Sequence, residues 1–155
     1  MRLKDLLSTE RIKIPLESTT KEEIIAEMVD LLYQANKVKD KAKILQAILE
    51  RERVMSTGVG DGVAIPHGKA EGVTEIAASF GITKENVDFN SLDEKPVRMI
   101  FLLVGPPDLT GPHLKALSRI SRLMHKPEFR EKLLASSSPA EVLEAIQEEE
   151  KYFEL

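Results

Sequence analysis

The sequence predicts a single α/β domain, residues 1–155, in which helices and strands pack in layers. The length of 155 residues fits one compact domain with its own hydrophobic core. An almost entirely apolar run spans residues 97–104, and amphipathic helical segments lie before and after it. Hydrophobic residues make up 42% of the chain and charged residues 31%, which favours a globular protein over a disordered one.

Helix-start signals and apolar periodicity divide the N-terminal half. Thr20 and Glu23 form a capping box, and apolar residues then follow at helical spacing until Asn36, where we expect the helix to stop. Asp40 can cap the free N–H groups of a second helix. The predicted order is a short helix near Leu3–Leu7, a strand at Arg11–Leu16, a helix after Thr20, and a helix from Asp40 to about Arg53.

The C-terminal half combines strands with three further helices. Val97–Val104 is rich in β-branched and aromatic residues and predicts a strand buried on both faces. In Gly111-Pro112-His113, glycine suits the N-cap and proline the first helical position. The core face of this helix is predicted to be Leu114, Leu117, Ile120, Leu123 and Met124. The other predicted elements are strands at Ile76–Ile82 and Val87–Phe89, a short helix from Pro127, and a last helix opened by the capping box Ser138–Glu141.

Charge and composition exclude several classes of function. The net charge of −4 lacks the basic footprint of a nucleic-acid-binding protein, and no apolar run is long enough to insert into a membrane. The charged N-terminus is not a signal peptide, and cysteine is absent, so we expect a cytoplasmic protein without thiol chemistry. We expect the acidic run of Glu148, Glu149, Glu150 and Glu154 to be a solvated helix end.

A glycine-rich segment at 56–72 contains the first histidine of the chain. A P-loop would need glycine at position 63 and Ser or Thr at position 70, where the chain has Val63 and Ala70. A dinucleotide-binding fingerprint fails at Val63 as well. The segment is therefore not predicted to bind a nucleotide.

His67 stands on a stiff base in this segment. The apolar run Val63–Ile65 can anchor the loop in the core, Pro66 restricts the backbone, and Gly68 leaves no bulky neighbour on that side of the ring. An accessible neutral histidine with nearby backbone N–H donors suits nucleophilic chemistry on phosphate. The alternative is a histidine that only caps a turn. The rigid base, the flanking glycines and the lack of another nucleophile candidate favour a functional role.

The residues around His67 resemble a known family. The blocks Arg51-Glu52-Arg53, Ser56–Gly60 and Ala64–Lys69 are similar to the EIIA domains of the fructose–mannitol class, which belong to the phosphoenolpyruvate-dependent sugar phosphotransferase system. The resemblance covers nearly the whole chain and includes its nitrogen-regulatory EIIA branch. It continues through Val87-Asp88-Phe89, Pro96-Val97, the apolar strand, and His113-Leu114 with Leu117.

The resemblance implies a function, a fold and partners. His67 would accept a phosphoryl group from the phosphohistidine of the carrier HPr, as a tele-phosphohistidine, and pass it to a cysteine or histidine of an EIIB partner. The implied fold is a mixed central sheet with helices on both faces. The rival hypothesis is a regulatory EIIA phosphoprotein that controls target proteins by its phosphorylation state.

Further residues are expected to support His67. His113, at a predicted helix start, suits an anion-binding position as a neutral imidazole, and Arg51 lies near the edge of an apolar helix stripe. The resemblance places both at the phosphoryl site. Ser56 and Thr57 are candidate hydroxyl donors to phosphate, although ordinary turn chemistry explains them equally well. Gly68 completes the predicted phosphate-binding set.

The remaining candidates receive structural or surface roles. We expect His125 to end a helix, Asp61 to be a solvated loop carboxylate, and Lys69 to attract phosphorylated partners. A zinc site built from the three histidines would lack the close helical spacing of typical pairs, so no metal or cofactor is predicted. Val59, Ile65 and Leu114 are candidates for an apolar partner face.

Overall fold

The computed structural model describes residues 2–153, in which five consecutive strands lie between two groups of helices. Among these residues, no helix is both long and apolar enough to span a bilayer. The helices are α1 (Leu3–Leu6), α2 (Lys21–Gln34), α3 (Lys41–Val54), α4 (Thr110–Met124), α5 (Pro127–Leu134) and α6 (Pro139–Phe153), with a 3-10 turn at Thr9–Arg11. The strands are β1 (Ile12–Leu16), β2 (Gly58–Gly60), β3 (Val63–Ala64), β4 (His67–Lys69), β5 (Ala77–Val87) and β6 (Val97–Gly105).

Within the described chain, six strands form one mixed sheet in the order β1-β5-β6-β3-β2, and β4 also pairs with β6. The β1–β5, β3–β6 and β4–β6 pairs are parallel, whereas β5–β6 and β2–β3 are antiparallel. Because β3 and β4 pair with successive parts of β6, the glycine-rich segment is held along the same edge of this central strand. The mixed sheet agrees with the fold implied by the resemblance.

Helices cover both faces of the sheet, and β6 shows why. Met99, Phe101 and Leu103 join the cluster formed with α1, α4, α5 and α6, whereas the alternate residues Ile100 and Leu102 join the cluster formed with α2 and α3. Side chains on a strand alternate between faces, so a strand buried on both faces is apolar throughout. The prediction of a doubly buried strand at Val97–Val104 is confirmed.

The predicted helix caps are present. The Thr20 hydroxyl accepts a hydrogen bond from the Glu23 N–H, and Asp40 accepts one from the Lys43 N–H. The Ser138 hydroxyl accepts one from the Glu141 N–H. Each bond satisfies a donor that the first turn of a helix would otherwise leave free.

The prediction for the start of α4 was wrong by two residues, and its core face was partly wrong. The helix begins at Thr110, with Leu109 rather than Gly111 at the N-cap, and Pro112 is tolerated because first-turn N–H groups lack helical acceptors. Leu114, predicted in the core, is 60% exposed, and His113 is buried in its place. The first turns of the helix therefore bury His113 and Ala116, whereas Ile120, Leu123 and Met124 are buried as predicted.

Two further predictions need correction. Val87–Phe89 is not a separate strand, because β5 runs on to Val87 past a register shift and Phe89 lies in the following loop with its ring buried. The C-terminal acidic run is not wholly solvated, because Glu150 is only 2% exposed. Its carboxylate accepts hydrogen bonds from the Leu3 and Lys4 N–H groups. Glu154 lies outside the described residues.

Candidate active site

His67 is the first residue of β4, and a backbone carbonyl orients its ring. The ring Nδ1 lies 2.9 Å from the Ile65 carbonyl oxygen. Because a carbonyl oxygen only accepts hydrogen bonds, Nδ1 must carry the proton. In the neutral ring the lone pair is therefore on Nε2. The predicted nucleophile thus has a defined tautomer with its reactive nitrogen unprotonated.

The environment keeps this imidazole neutral. Partial burial lowers the pKa of His67 below its ordinary value of 6.5, and the positive charges of Arg51 and Lys69 lower it further. The hydrogen bond to Ile65 and the carboxylate of Glu52 act in the opposite direction. The net pKa is lowered, so the nucleophilic form predominates at neutral pH.

His113 lies beside His67 in an unusual environment. The two ring centroids are 6.0 Å apart, and the His113 side chain is buried at 3% exposure. Within residues 2–153, neither of its ring nitrogens has a hydrogen-bond partner. Burial, followed by the nearby His67 and Lys69, lowers the pKa of His113 to about 4. Because unpartnered buried polar atoms are rare, a neutral imidazole next to the nucleophile points to a ligand that pairs with it.

Gly105 makes room for this histidine, a role that the sequence analysis missed. A Cβ atom at Gly105 would lie 2.9 Å from Nδ1 of His113 and 3.3 Å from Cγ1 of Ile76. The last residue of β6 must therefore lack a side chain. A glycine that ends an apolar strand is an ordinary feature, so only the position of α4 reveals its purpose.

Arg51 and Lys69 supply positive charge near His67. Both are close enough to lower its pKa. The Arg51 guanidinium donates to the Met55 carbonyl at the end of α3, and the Lys69 ammonium donates to the Thr110 hydroxyl at the start of α4. Arg51, on α3, therefore lies close enough to His67 to act on its charge, and its role at the phosphoryl site stays a prediction.

The three residues predicted to bind phosphate all lie near His67 in the chain, but they already have structural contacts. The Ser56 hydroxyl donates to the Phe89 carbonyl, and the buried Thr57 hydroxyl donates to Glu52. Gly68 does not face open space as the sequence analysis supposed. A Cβ atom there would lie 2.9 Å from Cγ1 and 3.2 Å from the backbone nitrogen of Ile48, so Gly68 lets β4 approach α3 closely.

Glu52 is the most deeply placed charge near the site, and the sequence analysis assigned it no role. It is 6% exposed, and its carboxylate accepts from both the N–H and the hydroxyl of Thr57. The ammonium of Lys21, from α2, lies 2.8 Å from the same carboxylate. In the sequence, the one sign of this role was that Glu52 lies at the edge of the apolar face of a predicted helix, next to Arg51. A surface glutamate would fit that position equally well.

The structure also shows where the remaining predicted residues lie, namely His125, Asp61 and the candidates for an apolar partner face. His125 is the C-cap of α4, as predicted. Asp61 lies 3.9 Å from Arg130 in a turn with positive φ, so it is not merely solvated. Ile65 is buried and cannot belong to a partner face, whereas Val59 and Leu114 are exposed.

The fold and the site define a class of protein: a mixed-sheet α/β domain in which a neutral, partly buried histidine, oriented by a backbone carbonyl, lies beside a fully buried histidine. Comparison with known families agrees with this class. The family model described as "Phosphoenolpyruvate-dependent sugar phosphotransferase system, EIIA 2" matches residues 5–149. The chain belongs to this family, which confirms the resemblance stated from the sequence.

Individual relatives fall into sugar-specific and nitrogen-regulatory groups. The chain is 39% identical over 151 residues to the PTS system fructose-specific EIIABC component of Bacillus subtilis, covering 97% of this chain but only 24% of that protein. It is 36% identical to the PTS system fructose-specific EIIA component of Haloferax volcanii, with 90% of each chain covered. The crystal structure of the nitrogen regulatory protein IIA-Ntr from Neisseria meningitidis superimposes with a TM-score of 0.86 at 34% identity, covering 92% of this chain and 97% of that one.

Proposed function

We propose that the chain is a phosphocarrier of the sugar phosphotransferase system. His67 accepts a phosphoryl group from phospho-HPr and passes it to an EIIB partner for sugar uptake, in the cytoplasm and without a cofactor. The observation that carries this proposal is the hydrogen bond from Nδ1 of His67 to the Ile65 carbonyl. It leaves the lone pair on Nε2, so the product is the tele-phosphohistidine.

The transfer exchanges one N–P bond for another. The Nε2 lone pair of His67 forms a bond to phosphorus while the N–P bond of the donor phosphohistidine breaks and its electron pair returns to the donor imidazole. The proton on Nδ1 stays in place, shared with the Ile65 carbonyl. In the onward step a nucleophile on EIIB attacks phosphorus, and the lone pair returns to Nε2. Positioning and charge neutralisation supply most of the catalysis in such transfers.

Charged and polar groups around His67 stabilise the transferring phosphoryl group. Arg51 and Lys69 provide positive charge, and the neutral His113 donates a ring N–H to a phosphate oxygen. The backbone N–H of Gly68 and the hydroxyl of Ser56 complete the proposed phosphate contacts. The Ser56 hydroxyl must leave the Phe89 carbonyl to make its contact. The Thr57 hydroxyl donates to the buried Glu52, so we place Thr57 behind the site rather than against the phosphate.

An apolar surface next to the site suits docking of the partner proteins. Val54, Met55, Val59 and Leu114 are all exposed large apolar side chains, and they come from the end of α3, from β2 and from the start of α4. These elements also carry or adjoin Arg51 and His113. We propose that HPr and EIIB dock here in turn, because each must bring its reactive side chain to the same nitrogen of His67.

A regulatory role is the second candidate, and the structural similarity to the Neisseria nitrogen regulatory protein favours it. Both roles use phosphorylated His67. In the transport role the phosphoprotein passes the phosphoryl group to EIIB, whereas in the regulatory role it controls a target protein. We favour the sugar-transport role because the two fructose-specific relatives are 39% and 36% identical to this chain, compared with 34% for the Neisseria protein. An EIIB domain from a fructose permease discriminates the two roles, since only the transport role requires transfer to it.

The proposal is tested by incubating the protein with phosphoenolpyruvate, enzyme I and HPr, and by measuring intact mass. We expect one acid-labile phosphoryl group on the wild-type protein and none on a His67→Ala variant. His125→Ala is the matched control, because this exposed histidine at the end of α4 should leave phosphorylation unchanged. A wild-type protein that stays unmodified with several active HPr proteins would contradict the proposal.

A further inference from the structure

We propose that Glu52 is a positioning residue that holds the reactive nitrogen of His67 in place through Thr57 and Ile65. A continuous series of hydrogen bonds joins the three residues to the His67 ring. Glu52 accepts from the N–H of Thr57 at 2.8 Å and from its hydroxyl. The Thr57 carbonyl accepts from the Ile65 N–H at 3.0 Å, and the Ile65 carbonyl accepts from Nδ1 of His67 at 2.9 Å.

The Ile65 carbonyl can orient the ring only if it is itself held. Its residue is restricted on one side by Pro66 and on the other by the bond from its N–H to Thr57. Thr57 is 4% exposed and precedes β2, so its conformation depends on the two bonds that it donates to Glu52. Loss of the carboxylate would free Thr57, then the Ile65 peptide, and then the ring.

Lys21 holds the Glu52 carboxylate from the far side. Its ammonium lies 2.8 Å from Glu52 Oε2, donates to the Phe89 carbonyl at 3.2 Å, and sits 5.2 Å from the centre of the Phe89 ring. One carboxylate oxygen thus receives the Thr57 N–H and Lys21, and the other receives the Thr57 hydroxyl. A buried carboxylate held by three donors has a fixed orientation, which suits a support rather than a mobile base.

The charge of Glu52 also acts on the ring. A ring that bears a phosphoryl group on Nε2 and a proton on Nδ1 carries positive charge, which a buried carboxylate nearby stabilises, whereas the phosphoryl oxygens need the positive charge of Arg51 and Lys69. In the free protein, Glu52 raises the pKa of His67 against the opposing effect of Arg51 and Lys69. Glu52 therefore acts on His67 through geometry and through charge, without touching the phosphoryl group.

Two variants test the proposal, and both keep the side-chain shape. Glu52→Gln removes the charge and one acceptor, and Thr57→Val removes only the hydroxyl. Histidine ring NMR on the unphosphorylated proteins should show mainly the Nδ1–H tautomer of His67 in the wild type and a larger Nε2–H fraction in both variants. With phospho-HPr as donor, kcat should fall about tenfold, the usual scale for losing a support behind a reactive group, with KM little changed.

The controls separate positioning from folding. Thr57→Ser keeps the hydroxyl and should restore the tautomer and the rate. Glu50→Gln is the same change at an exposed position of α3 and should leave both unchanged. A wild-type tautomer and kcat in both test variants overturns the proposal, even if their melting temperatures fall. The rate readout rests on the proposed function, but the tautomer readout does not, so an unphosphorylated wild type would reject only the proposed function.

Discussion

At the scale of single residues, the site depends on two histidines in different states. His67 has one ring nitrogen pinned to a carbonyl and the other available for chemistry, whereas His113 is buried with both ring nitrogens unpartnered among the described residues. Burial is the main reason that both have lowered pKa values. A neutral pair avoids repulsion between the rings and leaves the positive charge at the site to Arg51 and Lys69.

The buried His113 should make stability depend on pH. The unfolded chain takes up a proton on His113 below about pH 6.5, whereas the folded protein resists protonation until about pH 4. The stability that the neutral ring contributes is therefore complete above pH 6.5 and is lost as the pH falls toward 4. Urea unfolding at pH 7.5 and 4.5 should show the wild type losing about 2 kcal/mol more than His113→Gln, which cannot titrate. Equal losses would contradict the lowered pKa.

His113 should also affect transfer, since its ring lies next to His67. We expect His113→Ala to fold but to pass the phosphoryl group to EIIB about tenfold more slowly, because one oxygen loses a hydrogen-bond donor in the transition state. Rapid-quench measurement from the isolated phosphoprotein checks this step alone. His125→Ala, at an exposed helix end, provides the reference. An onward rate equal to that of the reference would remove His113 from the proposed machinery.

At the scale of elements, the site depends on how closely β4 packs against α3. The contact is possible because Gly68 lacks a side chain over the backbone of Ile48. A methyl group at position 68 would meet the backbone nitrogen of Ile48 on α3. Helix backbone cannot move aside as the end of a flexible side chain can. The same packing sets His67, on β4, beside Arg51, on α3, so a change here should reach both stability and function.

Gly68→Ala should therefore destabilise the protein by about 2 kcal/mol, the usual cost of overpacking a core contact. We expect phosphorylation of His67 to slow as well, because β4 must move away from α3. Gly111→Ala is the matched control: nothing lies within 4 Å of its added methyl group, and alanine suits a helix better, so stability should stay equal or rise by up to about 1 kcal/mol. Denaturant unfolding measures both, and similar free energies of unfolding for the two variants would argue against this contact.

At the scale of the whole molecule, Glu150 joins the two ends of the described chain. From α6 its carboxylate accepts the N–H groups of Leu3 and Lys4 at 2.7 and 3.0 Å, and it lies 3.2 Å from Arg119 of α4. Glu150, one of three consecutive glutamates in α6, thus caps the N-terminus of α1. Three separate elements meet at this one buried carboxylate.

Removing this contact should cost stability without affecting the site. Glu150→Ala leaves two backbone donors unpaired, so we expect a loss of about 3 kcal/mol. Glu148→Ala breaks only an exposed pair with Lys132 and should cost less than about 1 kcal/mol. Thermal unfolding compares the two variants. Below the melting temperature both should be phosphorylated at the wild-type rate, and a slowed Glu150→Ala variant would show that the contact reaches His67.

The sequence by itself determined the features that depend on neighbouring residues. Capping signals at Thr20, Asp40 and Ser138 marked helix starts correctly, because a cap is a contact within one turn. The apolar run of β6 was readable because burial on both faces leaves no place for a polar side chain. His67 was singled out by its rigid local base, and the family resemblance added His113 and Arg51.

Only the tertiary structure decided the features that depend on distant partners. The glycine-rich segment becomes three strands because β6 offers backbone partners to β3 and β4, and β3 in turn pairs with β2. No local pattern records this pairing. Glu52 and Glu150 look like surface glutamates in the sequence and are buried because Thr57, Lys21 and the N-terminus of α1 meet them. The physical reason is the same in each case: the free energy that permits a buried charge or a short strand comes from groups far away in the chain.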